Sequence, residues 1–445
     1  MKLVKMSLAA AVLLGASAFA IDNVKVSGDA KLFYGTNDIG DNDLFSKGND
    51  TAALTTGAGS YADTALRLGV TGDLTKGISF GVTGYAVSTL GLENNLVSQT
   101  WTGAHGVTAG TGSSFGNAAA GGAQVDDASW IGEAWIAATL GKTTVKLGRM
   151  ELDTPFAFTE KWSIVPNTFE AAVVINQDIP DTTVVGAWVG KGNSGSHDLL
   201  SGTAFVGMDG GVVGTGGKFN TFVKDGAYAA AIVNNSFKPL TFQAWYYNVA
   251  DVADAYWLQA DINCQLVKGL TIGAQYADLS PKGWAEDVVG ITEDSSAYAF
   301  KLGYTGVENL SVSAAFSQVD DQGGFKIQNV ATPNGQSKLY TEAWWNYGYV
   351  GAPDAKTWTL TAEYAIKDMV KLGAYYTNVT DAQTFSDDTS ALTLAKKYDM
   401  QEVALTATKS FGPLDATLAY ISTDADDQNN GSQYDTIQAY LTLNF

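Results

Sequence analysis

Apolar and polar residues alternate one by one along much of this chain. In the stretch VKVSGDAKLFY at 24–34, the even-numbered residues are mainly apolar and the odd-numbered ones mainly polar. A period of two places the two sets on opposite faces of a β-strand. The last strand follows the same rule, and its apolar set is Ile437, Ala439, Leu441, Leu443 and Phe445. We therefore expect extended strands with one apolar and one polar face.

The pattern recurs to give about eighteen strands, with sixteen as the alternative, and 338–350 could hold one more. Helical apolar spacing over several turns does not appear. Tight turns such as 75–77 and 267–269 alternate with long polar stretches at 91–127, 193–225, 321–355 and 381–397. Short turns at one end and long loops at the other are typical of outer-membrane barrels. The prediction is an all-β fold, a transmembrane antiparallel β-barrel with short periplasmic turns and long extracellular loops.

The first twenty residues have the form of an export signal. Lys2 and Lys5 precede a short apolar run, and a small-residue cleavage pattern ends at Ala20. This predicts a signal peptide at 1–20 and one barrel domain at 21–445. No later segment has the roughly 20 apolar residues of a membrane helix. The predicted location is the outer membrane, and a soluble secreted β-protein is the alternative.

The charge of the chain excludes one class of partner. The 26 basic side chains fall to 24 without Lys2 and Lys5, against 46 acidic ones, so the mature formal charge is −22. A charge of this sign argues against nucleic acid and favours the attraction of cations. Cys264 is the one cysteine, so the fold cannot depend on an intrachain disulfide.

A barrel of this size encloses a water-filled lumen unless something narrows it. The fifth predicted strand reads VKLGR at 145–149 and is followed by Asp153-Thr154-Pro155. These residues resemble bacterial porins, whose fifth strand ends in a similar triplet before an inward-folded third loop. The length, strand count and SGDAKLFYG start are similar to the major outer-membrane porin of the Campylobacter group and, more distantly, to OprD-type porins. The resemblance implies a homotrimer with one pore per subunit.

On this interpretation the constriction loop spans about 150–167, and its charges would set ion preference. Arg67 and Lys146 face the lumen by strand parity and would form a basic wall opposite the loop. Parity alone would place Arg149 outward, where it could instead hydrogen-bond carbonyl groups at a strand end. The acidic loop residues could also be merely solvated. The predicted constriction residues are Arg149, Glu151, Asp153, Glu160 and Lys161.

The predicted function is an outer-membrane general-diffusion porin that passes ions and small hydrophilic solutes and weakly prefers cations. One alternative is a substrate-specific OprD-like channel. OprD-type porins use a ladder of many lumen arginines, whereas this chain has two arginines, Arg67 and Arg149. A surface adhesin or structural barrel that binds through its long loops is the other alternative.

Enzyme activity and cofactors are not expected. His105 and His197 lie in Gly- and Ser-rich stretches without a paired nucleophile or metal-ligand spacing. The acidic clusters at 320–321 and 424–427 could bind divalent cations such as calcium or bridge to lipopolysaccharide, although no calcium-loop spacing is complete. Such clusters could equally be solvated.

The final aromatic residue suggests a partner in biogenesis. Phe445 ends an alternating strand, and a terminal aromatic at this position resembles the signal read by the outer-membrane assembly machinery. The expected partners are therefore outer-membrane lipid and lipopolysaccharide, a homotrimer and that machinery, without nucleic acid.

Overall fold

The computed structural model describes residues 21–40, 42–47, 59–92, 96–97, 100, 127–162, 164–194, 211–332, 335–385 and 394–445. The predicted signal peptide at 1–20, His105 and His197 lie outside these described residues. No helix in the described part of the chain is long and apolar enough to cross a membrane.

The described residues form one antiparallel sheet that closes on itself. The first strand pairs with the last, for example at Ala30 and Leu443. The two residues of β8 pair with β7 beyond the end of β9, which leaves eighteen strands in the wall, as predicted. The strands are β1 Asp22–Asn37, β2 Gly59–Thr75, β3 Ile78–Ser88, β4 Asp127–Leu140, β5 Thr143–Met150, β6 Phe169–Asn176, β7 Thr182–Gly192, β8 Asn220–Thr221, β9 Ala227–Asn234, β10 Leu240–Val249, β11 Ala253–Asn263, β12 Leu270–Pro281, β13 Ser295–Tyr304, β14 Leu310–Val319, β15 Lys356–Ile366, β16 Val370–Phe385, β17 Leu394–Phe411, β18 Leu414–Ala425 and β19 Tyr434–Asn444.

The two faces of the wall differ in chemistry. Leu441 and Leu443 are 38% and 43% exposed on the outer face of β19, whereas Gln438, on its inner face, is fully buried. The same contrast separates exposed Leu302 from buried Ala299 on β13. Apolar side chains point outward because hydrocarbon surrounds the wall, and polar ones point toward the lumen. The predicted alternation is confirmed.

Short turns join the strands at the end of the barrel where β1 begins and β19 ends. The predicted turns at 75–77 and 267–269 lie there, and residues in the left-handed region, such as Gly77 (φ 79°) and Asp368 (φ 58°), form the tight reversals. The opposite end carries longer connections, apart from the short one between β10 and β11. By this asymmetry the turn end is periplasmic and the other end extracellular.

The third loop folds into the lumen, as predicted. Most of its side chains between Met150 and Thr168 are buried, including Phe156, Phe158 and Val165. Because these side chains are shielded from water, they pack against the inner wall and against other chain segments in the barrel.

A second inward segment was not predicted. The long polar stretch at 321–355 between β14 and β15 was expected to be an extracellular loop, with a strand at 338–350 as an option. Its described residues instead fold inside the barrel without forming a strand, and Tyr347–Tyr349 form a single 3-10 turn. Phe325, Ile327 and Val350 are fully buried there. The apolar and aromatic content of the segment, hidden among Gly, Asn and Ser, drives this burial.

Candidate pore constriction

The third loop crosses the lumen from β5. At its turn, the Thr154 hydroxyl donates to Ala157 O (2.8 Å) and accepts from Ala157 N (3.2 Å). This closed turn projects Phe156, whose ring meets Tyr247 and Trp257 edge-on with centroids 5.5 and 5.6 Å apart. Because those aromatic residues lie on β10 and β11, the loop reaches the far wall and divides the lumen.

The second inward segment holds the third loop in place. The Asn329 side chain donates to Phe158 O (2.9 Å) and to Glu160 Oε1 (3.1 Å), and it accepts from Phe158 N (3.1 Å). Val330 N donates to Phe156 O (2.8 Å). Side chains that satisfy loop backbone groups replace the water that a free loop would bind. The two segments therefore form one hydrogen-bonded unit.

Glu160 belongs to this hydrogen-bonded unit, which we call the clamp, and it does not line an exposed pore surface. Its side chain is 1% exposed and accepts from Asn329, from the Thr332 hydroxyl and from Trp162 Nε1 (2.9 Å). Several donors compensate for the loss of water around a buried carboxylate. Glu160 lies in the third loop, where its buried side chain joins the two inward segments and does not face the passage.

Asp153 also links the two inward segments. Its carboxylate is 2.7 Å from Lys338 Nζ, and the same ammonium group lies 4.4 Å from the centre of the Phe158 ring. Asp153 is mostly exposed, so this ion pair contributes little to stability. Its main effect is to place one charge of each sign beside the loop tip.

Glu151 and Lys161 lie beside the opposite part of the lumen wall. Glu151 is 2.7 Å from Lys161 Nζ and 3.6 Å from Arg67 Nη1. Arg67 in turn contacts Asp29 at 2.5 Å. The side chains of Arg67 and Lys161 are 38% and 71% exposed, so water and solutes reach them. The structure thus brings together four charges from β1, β2 and the third loop.

Three further charges complete this group. Lys31 and Glu133 point inward from β1 and β4, and the Lys146 ammonium of β5 lies 4.2 Å from the centre of the Trp135 ring. The charges of Glu133 and Lys146 act on each other and on Glu151. We call the seven residues the charged layer, and they are Asp29, Lys31, Arg67, Glu133, Lys146, Glu151 and Lys161.

The charged layer has four cations and three carboxylates. Its formal charge of +1 is opposite in sign to the formal charge of −20 of the whole chain. The excess of acidic over basic side chains must therefore lie outside the charged layer. The charges that line a narrow passage act on a permeating ion at short range, so the sign of this layer bears on ion preference beside the net charge of the chain.

An apolar layer covers the extracellular side of the charged layer. Phe33 lies two positions after Lys31, toward the extracellular end of β1. Tyr61 lies six positions before Arg67, toward the extracellular end of β2. These residues pack with buried Ile164 and Val165 of the third loop. Segment 211–217, between β7 and β9, completes the layer by inserting Val212 and Val213.

Arg149 is placed differently from the prediction. It shares the outer face of β5 with exposed Leu147, whereas its neighbour Met150 is buried inside. Its guanidinium contacts Glu170 at 3.1 Å and donates to Ile131 O (3.1 Å). Arg149 is therefore not brought together with the charged layer, because the pairing of β5 with both neighbours continues through this residue without a register shift and its parity holds. The contact with Ile131 O agrees with the alternative interpretation, in which Arg149 points outward and hydrogen-bonds carbonyl groups at a strand end.

Three residues of the charged layer were not predicted as site residues. Strand parity alone places Asp29 and Lys31 inward, so their signal was present. Glu133 follows a bulge at Gly132, which shifts the register against β3 and brings Glu133 to the inner face. A Cβ on Gly132 would lie 2.4 Å from the Tyr85 ring, so this position needs glycine.

Metal binding has no support among the described side chains. No group of three or more His, Cys, Asp or Glu residues there is arranged to hold a metal ion. Within the predicted acidic clusters, the carboxylates serve local contacts. Asp426 accepts from Asp399 N (3.0 Å), and Asp427 accepts from the Tyr349 hydroxyl.

Comparison with known proteins identifies both family and fold. OccK8 (OprE) of Pseudomonas aeruginosa has a TM-score of 0.69 at 15% identity, over 95% of this chain and 98% of that one. OpdK of P. aeruginosa, solved with vanillate, has a TM-score of 0.66 at 12% identity, over 95% and 98%. OccAB3 of Acinetobacter baumannii has a TM-score of 0.66 at 13% identity, over 95% and 100%. At these identities the structures show a shared fold.

The search of curated proteins gave no match. Residues 17–402 match the family described as outer membrane porin, OprD family. This match supports the more distant of the two resemblances seen in the sequence, and the Campylobacter-type one is not shown. Because the match extends over most of the sequence, the chain belongs to the OprD family of outer-membrane porins and is located in the outer membrane.

Proposed function

We propose that this porin is a narrow channel for small hydrophilic solutes, that solutes contact the charged layer between the third loop and the wall formed by β1–β5, and that the apolar layer on its extracellular side must part to let them through. The observation that carries the proposal is the contrast between the two sides of the third loop. On one side, the clamp around Glu160 and Asn329 is buried. On the other side, Arg67 and Lys161 of the charged layer are open to water.

The charged layer favours solutes that carry a carboxylate. Four cations, three of them on the wall, provide successive contacts for an anionic group, and the Arg67 side chain, although it contacts Asp29, is 38% exposed. OpdK, which shares the fold, was solved with vanillate, a small carboxylate. A substrate-preferring channel is therefore our first candidate, even though one arginine and three lysines replace a long arginine ladder.

A weakly cation-preferring general-diffusion porin is the second candidate. Its support is the mature formal charge of −22, which would concentrate cations near the mouths of the channel. The two candidates differ in the place that controls selectivity. In the first it is the charged layer, and in the second it is the acidic surroundings of the channel.

A bilayer experiment separates these candidates. The reversal potential of single channels would be measured across a planar bilayer under a salt gradient, for the wild type and for Lys146→Gln. Control by the charged layer predicts anion selectivity that falls by about threefold in the variant, because one lumen charge is lost at short range. A cation-sign potential that is unchanged in Lys146→Gln would favour general diffusion. Absence of stepwise conductance would contradict both.

The remaining expectations stay proposals. These are a cleaved signal peptide at 1–20, a homotrimer, contact of the acidic clusters with calcium or lipopolysaccharide, and an adhesive role of the loops. Cross-linking of the detergent-purified protein, read as the mass of the folded species, tests the trimer. A monomeric mass at every cross-linker concentration would contradict it.

We also propose that Phe445 is read during assembly. Its backbone pairs with Gly28 through both N–H···O bonds (2.8 and 3.0 Å), while its ring is 57% exposed on the outer face. Deletion of Phe445 should lower the amount of folded protein in the outer membrane more than it changes single-channel conductance. Heat-modifiable migration on a gel measures the first quantity. Normal surface levels of the truncated chain would contradict the proposal.

A further inference from the structure

Arg149, Glu170 and Lys191 form an ionic cluster on the outer surface of the barrel. They lie at the extracellular ends of the neighbouring strands β5, β6 and β7, where Arg149 pairs with Glu170 and Glu170 pairs with Lys191. Both cations contact the Glu170 carboxylate, at 3.1 Å from Arg149 and 3.3 Å from Lys191. The buried inner neighbours Met150 and Phe169 confirm that this cluster faces away from the lumen.

The cluster lies just beyond the apolar outer band. Trp188 is 43% exposed on the outer face of β7, and it pairs with Ala172, one outward position below Glu170 on β6. Leu147, 47% exposed, lies one outward position below Arg149 on β5. Aromatic residues mark the boundary between hydrocarbon and headgroups in membrane barrels. The cluster is therefore at the height of the lipid headgroups of the outer leaflet.

Two cations share one carboxylate in this cluster, so one positive charge is uncompensated among the described contacts. Other outer-face lysines near this end are balanced. Lys282 pairs with Asp254, and Lys356 and Lys397 share Asp354 and Asp381. The Lys191 side chain is 51% exposed, so its ammonium is accessible to a ligand.

The guanidinium of Arg149 is held rigidly. Besides Glu170 it contacts Ile131 O at 3.1 Å, and its carbon lies 4.3 Å from the centre of the Phe219 ring. An arginine fixed in this way loses less side-chain freedom when it meets an anion. Arginine and lysine together are well suited to phosphate oxygens, through charge-assisted hydrogen bonds.

We propose that Arg149 and Lys191 form a binding site for a phosphate group of a phosphorylated glycolipid in the outer leaflet. Glu170 holds the two cations side by side, and their surplus charge meets the phosphate. The apolar residues Leu147 and Trp188 lie below, where the acyl chains of the same lipid would run. This site is on the lipid-facing surface and is independent of the proposed transport function.

Binding of lipid A to the folded, detergent-purified protein tests this proposal. The variants are Lys191→Gln and Arg149→Gln, and Lys238→Gln is the matched control, because Lys238 is an exposed lysine paired with Asp181 at the periplasmic end. Native mass spectrometry would measure the occupancy of diphosphorylated lipid A. Loss of one charge-assisted contact should weaken binding by about tenfold in Lys191→Gln. The control should bind as the wild type does.

Dephosphorylated lipid A and inorganic phosphate identify the group that is recognised. The proposal expects weak binding of dephosphorylated lipid A to the wild type and no competition by inorganic phosphate at low concentration, since the acyl contacts are missing. Equal binding of both lipid forms, or wild-type affinity in Lys191→Gln, would overturn it. If Arg149→Gln fails to fold, Lys191→Gln still decides, because its exposed side chain leaves the wall contacts intact.

Discussion

The two sides of the third loop show how one barrel combines a passage with a scaffold. Toward β1–β5, the charged layer consists of ionic side chains that remain partly open to water. Toward β10–β18, segment 320–355 fills the lumen with buried apolar residues and hydrogen-bonded loops. Glu160 and Glu402 on the second side accept from protein donors, whereas Arg67 and Lys161 on the first side are exposed to solvent. A solute can replace water, but it cannot readily replace a packed segment.

The scaffold side depends on carboxylates that are anchored from the wall. Glu402 of β17 is 1% exposed and accepts from the backbone N–H groups of Trp344 (2.8 Å) and Asn346 (2.8 Å). Tyr340 donates to Asp261 of β11 at 2.6 Å. These contacts fix the second inward segment, which in turn fixes the third loop through Asn329. The width of the passage is thus set by residues that do not line it.

The largest expected effect comes from breaking the clamp. Glu160→Ala leaves the donors of Asn329, Thr332 and Trp162 without their acceptor, and each unpaired buried group costs about 1–3 kcal/mol. The third loop should then move, and single-channel conductance should rise about twofold or more, with added current noise. Single-channel recording measures this.

Asp321→Asn is the matched control for the clamp, because it changes an exposed carboxylate in the same inward segment. Its conductance should equal that of the wild type. Unchanged conductance in folded Glu160→Ala would show that the third loop is held by other contacts.

A smaller effect is expected from the passage side. Arg67→Gln removes a cation from the charged layer and should reduce anion preference by about threefold at low salt, less at high salt because of screening. Arg67→Gln leaves Asp29 unpaired, so the double variant with Asp29→Asn serves as the control that restores the +1 charge of the layer. Reversal potentials under a salt gradient measure both. Equal shifts in the single and double variants would contradict control by net charge.

The smallest effect concerns the pH response of the scaffold side. Burial raises the pKa of the Glu342 carboxyl well above its ordinary value of 4.5. Ser337 donates to one carboxyl oxygen through its N–H (3.0 Å) and hydroxyl (2.7 Å), and the other oxygen has no hydrogen-bond partner in the described structure. The folded segment therefore binds a proton that the unfolded chain releases, so its stability falls as pH rises above about 4.5.

Glu342→Gln keeps an acceptor and removes this titration. Above about pH 4.5, the segment in the variant should become more stable than in the wild type, by up to about 1.4 kcal/mol per pH unit, until the pH exceeds the raised pKa of Glu342. Hydrogen exchange of peptides covering 337–346, compared between variant and wild type at each pH, measures the local opening. Glu308→Gln, in an exposed periplasmic turn, is the control. A difference that does not depend on pH would contradict the argument.

Strand parity predicted much of the wall but little of its interior. Arg67 and Lys146 lie on the inner face of the wall, because a side-chain period of two follows from strand geometry. Parity alone also places Arg149 outward, in agreement with the structure, whereas the porin-like triplet at 147–149 predicts a constriction residue there. Glu133 was not predicted as a site residue, because the bulge at Gly132 moves it to the inner face of β4. In the sequence, such a bulge shows only as one glycine among many.

The interior depends on contacts between residues far apart in the chain. Glu160 and Asn329 are separated by 169 positions. Alternation cannot predict such a pair, since neither segment is a strand. The composition of 321–355 predicts a polar loop, although Phe325, Trp344 and Tyr347 would be costly to expose in water. Aromatic residues in a long connection were the available signal for an inward fold.

The pairing of Gly28 with Phe445 imposes an order of events on biogenesis. Gly28 has no room for a side chain, since a Cβ would lie 2.4 Å from Arg67 O and 2.7 Å from the Phe445 ring, and Phe445 completes the seam there. The seam cannot close until the segment around Phe445 has been delivered to the membrane. Until then β1 keeps an open edge that could pair with other chains. The precursor must therefore be kept apart from its copies throughout its crossing of the periplasm.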